Sequence, residues 1–277
     1  MILRALFLLC LLAAPASADV MDRAAAGGEV AFGHRTDAPP FSHLEAGRPA
    51  GLAVRLCEAV AEEISQAAGR ADLRIRWVPV TAADRFEALE SGRIDMLCGP
   101  TTQTLARRER FDFSIPYFID GMGAVFRAGP GAGFPALAGE VVGVLQGTTT
   151  AALLPGILAA EGGAGAEIVG YESHVDGLEA LASGHVAAYF GDAAILRYQL
   201  GLLRPRTPLQ FAPGQFSFEP YALTMRRGET RLRLLADAAL SRAFRSGAVE
   251  AMIEETLGEV TLSDLVLSIY RVVTLPE

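Results

Sequence analysis

The 277-residue chain contains no lysine: all 24 of its basic residues are arginine. Every chemistry that depends on a lysine amine is thereby excluded. Also missing are HExxH, CxxC and GxSxG, and His34, His43, His174 and His185 show no metal-ligand spacing. Hydrolase and metalloenzyme motifs are therefore absent, and no cofactor is expected. Basic charge is in deficit, with a net charge of −8, which argues against a nucleic-acid partner. Long apolar runs are lacking too. Val260 to Leu275 is apolar but carries Asp264 and Arg271, so it reads as a docked amphipathic helix rather than a membrane span. Only three cysteines occur.

What is present begins with a leader. Met1 to Arg4 starts positive, Ala5 to Ala14 is apolar, and Pro15-Ala16-Ser17-Ala18 ends in small residues, the pattern of a secretory signal peptide over residues 1–18. Cleavage there places Asp19 at the mature N-terminus and the protein in the periplasm. Cys10 falls inside the leader, and Phe7-Leu8-Leu9 lacks the small residues that a lipoprotein signal sets before its cysteine. In an oxidising compartment, Cys57 and Cys98 either pair as a disulfide or remain as two buried thiols. At 51% hydrophobic residues the remainder is globular and not disordered.

The pattern predicts an α/β chain. Glu29 to Gly33 reads as a strand, Asp37 to Ser42 as a turn-forming loop, and Gly51 to Ala67 as a helix with Leu52, Leu56, Val60 and Ile64 on one face. Leu73 to Val80 is a strand, Thr81 caps a helix through Glu90, and Ile94 to Cys98 is a short buried strand. Glycine and proline cluster from Gly121 to Pro135, a boundary signal, and the β-α-β-α-β pattern then restarts. Its strands are Val141 to Leu145, Glu167 to Gly170 and Val186 to Phe190, with helices after Gly147, from Asp176 and from Asp192. Tyr221 to Met225 reads as one more strand, followed by helices over 231–244 and 249–257. Two such halves imply a cleft between them, lined by the carboxyl ends of their strands.

Several residues at those ends could meet a charged small molecule. Cys98-Gly-Pro-Thr-Thr-Gln-Thr-Leu-Ala-Arg107 follows a buried strand and leads into a short helix, where free N–H groups, the Thr102 hydroxyl and the Arg107 fork suit a carboxylate. Thr104 as a helix cap with a solvated Arg107 is the plainer account of the same residues. Arg35 ends the first strand, and Arg85 lies one turn into the helix capped by Thr81. Either could also be a surface charge. Asp192 can cap the helix after it or face an ammonium group. His174, near a helix start, is by default a surface histidine, and Thr148 lies where a helix opens.

At this point the residues carry a resemblance. Gly33-His-Arg35, Pro40-Phe-Ser42, Val78-Pro-Val-Thr81, Cys98-Gly-Pro-Thr-Thr102, Asp112-Phe-Ser114, Leu181-Ala-Ser-Gly184 and Glu219-Pro-Tyr221 resemble, in order, the family 3 solute-binding proteins of bacterial polar amino-acid importers. The glutamate/aspartate-binding branch is the most similar. The resemblance implies a two-lobed, type II periplasmic-binding-protein fold, with lobe 1 at 19–123 and 222–277 and lobe 2 at 124–221. It implies a monomer, not an enzyme, that closes on an amino acid and serves the membrane subunits of an ABC importer. It further implies that Thr102 and Arg107 hold the α-carboxylate and Asp192 the α-ammonium. Arg35, Arg85 and His174 would surround a side-chain carboxylate, with Thr148 completing the set. Pro100 and Ala82 stand where this branch has serines, Ala38 where many members carry an aromatic platform, and Ala53 and Arg55 where acidic residues are usual. The α-amino-acid grip is intact; the side-chain preference is the part these departures touch. A sensor-docking receptor would use the same closure. A secreted cyclohexadienyl dehydratase would need a spare cleft carboxylate, and none is evident in the pattern.

Overall fold

A computed structural model describes residues 19–129, 131–257 and 264–276. The expected signal peptide at 1–18 lies outside the described residues, as does the start of the expected C-terminal helix.

Two five-stranded sheets organise the chain. In the first, Arg74–Val80, Glu29–Arg35 and Met96–Cys98 lie side by side and parallel, Thr224–Arg226 joins antiparallel, and Phe111–Phe113 forms the edge. The second repeats this plan with Glu167–Tyr171, Val141–Leu145 and Ala188–Asp192 parallel, then Met122–Arg127 and Leu209–Phe211. The chain leaves the first sheet through Phe118–Asp120 and returns through Glu219–Tyr221, and these two short strands pair antiparallel. This is the two-lobed α/β fold with a two-stranded connection.

Local chemistry accounts for the elements. Helix Leu52–Ala68 buries Leu52, Leu56, Val60 and Ile64 against Phe32, and Leu240 and Phe244 of helix Thr230–Arg245 join the same core. Gly51 precedes it at φ +112°, where an added Cβ would lie 2.5 Å from the Pro40 carbonyl oxygen, so only glycine fits. Cys57 on this helix and Cys98 on the neighbouring strand form a disulfide, their Cα atoms 6.0 Å apart. The second sheet buries Val142, Val144 and Phe190 against Leu154 and Leu158 of helix Thr149–Glu161. Its other face packs Tyr189 on Leu178 and Leu181 of helix His174–Ser183. Near the C-terminus, Tyr270 of helix Asp264–Val273 stacks on Phe244 at 4.7 Å, which docks that helix.

Four expectations are corrected. Asp37 to Ser42 is not only a loop: Asp37–Ala38, Ser42–Glu45 and Arg48–Ala50 form a small antiparallel sheet around a cis Pro39–Pro40 bond. Residues 82–84 form a turn, so the α-helix starts at Arg85, with Thr81 and Asp84 bonding each other's backbone N–H. Inside the expected boundary at 121–135 runs strand Met122–Arg127, already part of the second sheet. Residues 221–225 do not form one strand: Tyr221 ends the connection and Thr224 begins a strand of the first sheet, because the segment changes partners between them.

Candidate ligand-binding cleft

The residues singled out above sit at or just beyond the carboxyl ends of the parallel strands of both sheets. Arg35 closes Glu29–Arg35, Arg85 follows Arg74–Val80, and Thr102 and Arg107 follow Met96–Cys98. Thr148 follows Val141–Leu145, His174 follows Glu167–Tyr171, and Asp192 closes Ala188–Asp192. In open α/β sheets this is where ligands collect.

The first sheet supplies the cations. Arg85 is 2% exposed, so it is not a solvated helix charge. It donates through Nη1 to the Ala82 carbonyl and through Nη2 to the Gly147 carbonyl (3.0 Å), while its buried Nε has no hydrogen-bond partner among the described residues. Burial lowers its affinity for a proton, the charges of Arg35 and Arg107 add to that, and Asp192 and Asp37 oppose it. Arg107 is half-buried and donates from Nη1 to the Thr102 carbonyl at 2.9 Å. Thr104 caps the short helix Leu105–Arg108 at the same time, so the capping account and a cleft-facing Arg107 are compatible. The Phe86 ring lies 4.5 Å from the Arg85 guanidinium and 5.0 Å from that of Arg107, a cation–π contact to each. Among the described residues no carboxylate stands within ion-pair distance of Arg85 or Arg107.

Arg35 differs. Its Nε and Nη2 donate to the two oxygens of Asp37 at 2.6 and 2.8 Å, a forked pair. Burial would raise the Asp37 carboxyl, but the charge and hydrogen bonds of Arg35 outweigh it and hold the group below its usual range. His174 is a buried rather than a surface residue, at 2% exposed, with Nδ1 3.3 Å from the Tyr189 hydroxyl. Burial, and then the positive charge of Arg35, push its pKa down to about 4, so the ring is neutral at neutral pH.

The anionic floor comes from the second sheet and the connection between sheets. Asp192 occupies the position before helix Ala193–Leu203 yet makes no side-chain capping bond; instead it accepts from the Thr150 hydroxyl at 3.3 Å. Glu219 accepts from Thr102, from Thr149 at 2.6 Å and from Ser217 at 2.9 Å. Asp120 accepts from the Tyr221 hydroxyl at 3.1 Å and from the Ala194 N–H at 3.2 Å. Burial, followed by the charge of Glu219, pushes the Asp192 carboxyl up, and burial followed by the charge of Asp192 pushes Asp120 up. Two cleft carboxylates therefore exist that the sequence pattern did not reveal. Both belong to the paired strands between the sheets, whose meeting is a long-range event. Each accepts hydrogen bonds from its neighbours. Thr148 stands apart from the set: its hydroxyl accepts from the Ala151 N–H at 3.1 Å and donates to the Leu145 carbonyl at 2.7 Å, as a helix cap does. Thr149 and Thr150, the next two residues, make the cleft contacts. Asp37 stands only two residues past Arg35, across a bend at Thr36, so its nearness was visible in the sequence but the fork was not.

The two halves touch across the cleft through Arg85 and Gly147, through the Thr102 and Thr149 hydroxyls at 3.4 Å, and through Gln199 Nε2 and the Asp37 carbonyl at 3.4 Å. The sequence profile of the bacterial extracellular solute-binding proteins, family 3, matches residues 30–259. The chain belongs to this family. It is 28% identical over 244 residues to a glutamate/aspartate import solute-binding protein of Salmonella typhimurium, covering 87% of this chain and 80% of that one. A glutamate/glutamine/aspartate/asparagine-binding protein of Rhodobacter capsulatus is 28% identical over 256 residues, covering 90% of this chain and 74% of that one. Among solved structures, an ancestral arginine-binding protein bound to glutamine superposes with a TM-score of 0.73 at 26% identity, covering 84% of this chain and 99% of that one.

Proposed function

We propose that this family member is a periplasmic receptor that closes its lobes on an amino acid with an acidic or other polar side chain and delivers it to the membrane subunits of an ABC importer. Lobe 1 comprises residues 19–123 and 222–277 and lobe 2 residues 124–221, except that Met122 and Gly123 go with lobe 2 as the first two residues of strand Met122–Arg127. The reading rests on the charge pattern of the cleft. Arg85 and Arg107 flank Phe86 without a carboxylate partner among the described residues, and Asp192 lies on the opposite lobe within reach of their fields. An α-amino acid is the complement of that pattern: its α-carboxylate answers Arg107, its ammonium answers Asp192, and an oxygen on its side chain answers Arg85. The names of the Salmonella and Rhodobacter relatives support the same ligand class.

Arg107→Ala tests the grip common to all amino acids. Breaking one side of a buried charged pair costs about 3–5 kcal/mol, or a few hundred-fold and more in affinity. Calorimetric titration with glutamate and glutamine should show that loss for both ligands. Unchanged affinity for either would mean that Arg107 does not hold the α-carboxylate.

A further inference from the structure

The side-chain end of the cleft contains a carboxylate of the protein's own. Arg35 is 3% exposed, and two of its three nitrogens are spent on Asp37 in forked geometry. The pair is fixed from several directions. The Arg35 N–H donates to Ser42 Oγ at 2.9 Å, and the Asp37 carbonyl accepts from Gln199 of the opposite lobe. His43 is the partner of Asp37 across the small sheet, and His174 faces the pair from the second lobe with its ring neutral. Arg35 and Asp37 both act on Arg85, with opposite signs. Three arginines thus converge on the first lobe's side of the cleft, but one of them arrives already neutralised.

We infer that Asp37 is a specificity-determining residue, a built-in carboxylate that occupies the Arg35 fork and, with Arg107 given to the α-carboxylate, leaves Arg85 as the cation among the described residues that meets the ligand's side chain. The inference rests on the amino-acid reading above and refines its ligand class. With two free guanidiniums, a side-chain carboxylate would gain two charge-assisted partners, and an amide would leave buried donors facing its own NH₂. With one, the amide oxygen can satisfy Arg85 about as an acid oxygen does, and the Asp37 charge repels the acid. The substrate class is then acids and their amides together, with narrow discrimination between them.

Asp37→Asn, which is nearly isosteric and uncharged, tests this, with Asp37→Ser as the smaller alternative. Glutamate, aspartate, glutamine and asparagine are titrated calorimetrically at one ionic strength. The wild type should prefer acid to amide by less than about tenfold, and either variant should raise that ratio by about tenfold or more, the size of one charge-assisted hydrogen bond. The double variant Arg35→Met with Asp37→Asn removes the neutral pair as a unit and should restore the wild-type ratio. An unchanged ratio in the single variants overturns the role of Asp37 while leaving the amino-acid reading intact. So does a double variant that loses the acid but keeps the amide, because Arg35 would then be reading the ligand itself. Failure of the wild type to bind any of the four overturns the amino-acid reading, and this inference with it.

Discussion

Asp192 occupies a capping position but gives the helix behind it no side-chain bond, which leaves its carboxylate to the cleft. Burial and the neighbouring Glu219 charge push its pKa up to about 6. A ligand ammonium favours the ionised form and a proton the neutral one, so the two exclude each other. The sign follows from linkage. Above about pH 6 the site is ionised before the ligand arrives, and below it binding must expel a proton. Amino-acid affinity should therefore fall as pH drops below about 6, approaching about tenfold per pH unit. Titration in two buffers of different protonation enthalpy should detect proton release near that pH. Equal affinity at pH 5 and pH 7, with no proton released, would contradict it. Arg85 and Arg35 show why residue type and spacing alone are a poor guide: both are buried arginines with a carboxylate two residues on, Glu87 and Asp37, but only Arg35 pairs with its own.

Among the elements, helix Leu52–Ala68 has the most legible pattern, its buried stripe recurring every four residues. The disulfide ties this helix to strand Met96–Cys98 across a sequence separation of 41. A closure of that length restricts the unfolded chain, and such bonds typically contribute about 2–4 kcal/mol. Replacing both Cys57 and Cys98 by alanine should lower the melting temperature by about 2–4 °C for each kcal/mol lost. Thermal unfolding of the two proteins side by side measures it, and an unchanged midpoint would show that the bond contributes nothing to stability. Shorter elements are less legible in the sequence. Strand Met122–Arg127 has glycine at its second position and lies in a glycine-rich stretch, which disguised it as a boundary. The turn before Arg85 shifted that helix's start by a full turn, because Thr81 and Asp84 satisfy each other's N–H groups first.

For the molecule as a whole, one contact between the two halves is made by backbone. Gly147 adopts φ +72° and presents its carbonyl to Arg85 across the cleft, and a Cβ there would lie 2.8 Å from the Ala82 carbonyl oxygen. Gly147→Ala adds a left-handed backbone strain of about 1–2 kcal/mol in either state, and a clash that exists only when the lobes meet. Affinity for every ligand should therefore fall by about tenfold or more, with the preference between acid and amide unchanged. Calorimetry reads the affinities, and small-angle scattering should show a smaller compaction on adding ligand than in the wild type. Wild-type affinity in this variant would mean that the contact is not part of the closed state.

The sequence by itself determined the local order of strands and helices, the two-fold repetition of the α/β pattern and the strand ends where Arg35, Arg85, Arg107 and Asp192 lie. These depend on periodicity and on turn chemistry, which act over a few residues. Tertiary structure alone decided the antiparallel members of each sheet, the pairing of Phe118–Asp120 with Glu219–Tyr221, and the carboxylates that this pairing brings beneath the cleft. It also decided that Arg85 and Arg107 stay without a carboxylate partner among the described residues. Partners for a buried charge come from wherever the chain returns in space, and a return across some hundred residues leaves no mark on the local pattern.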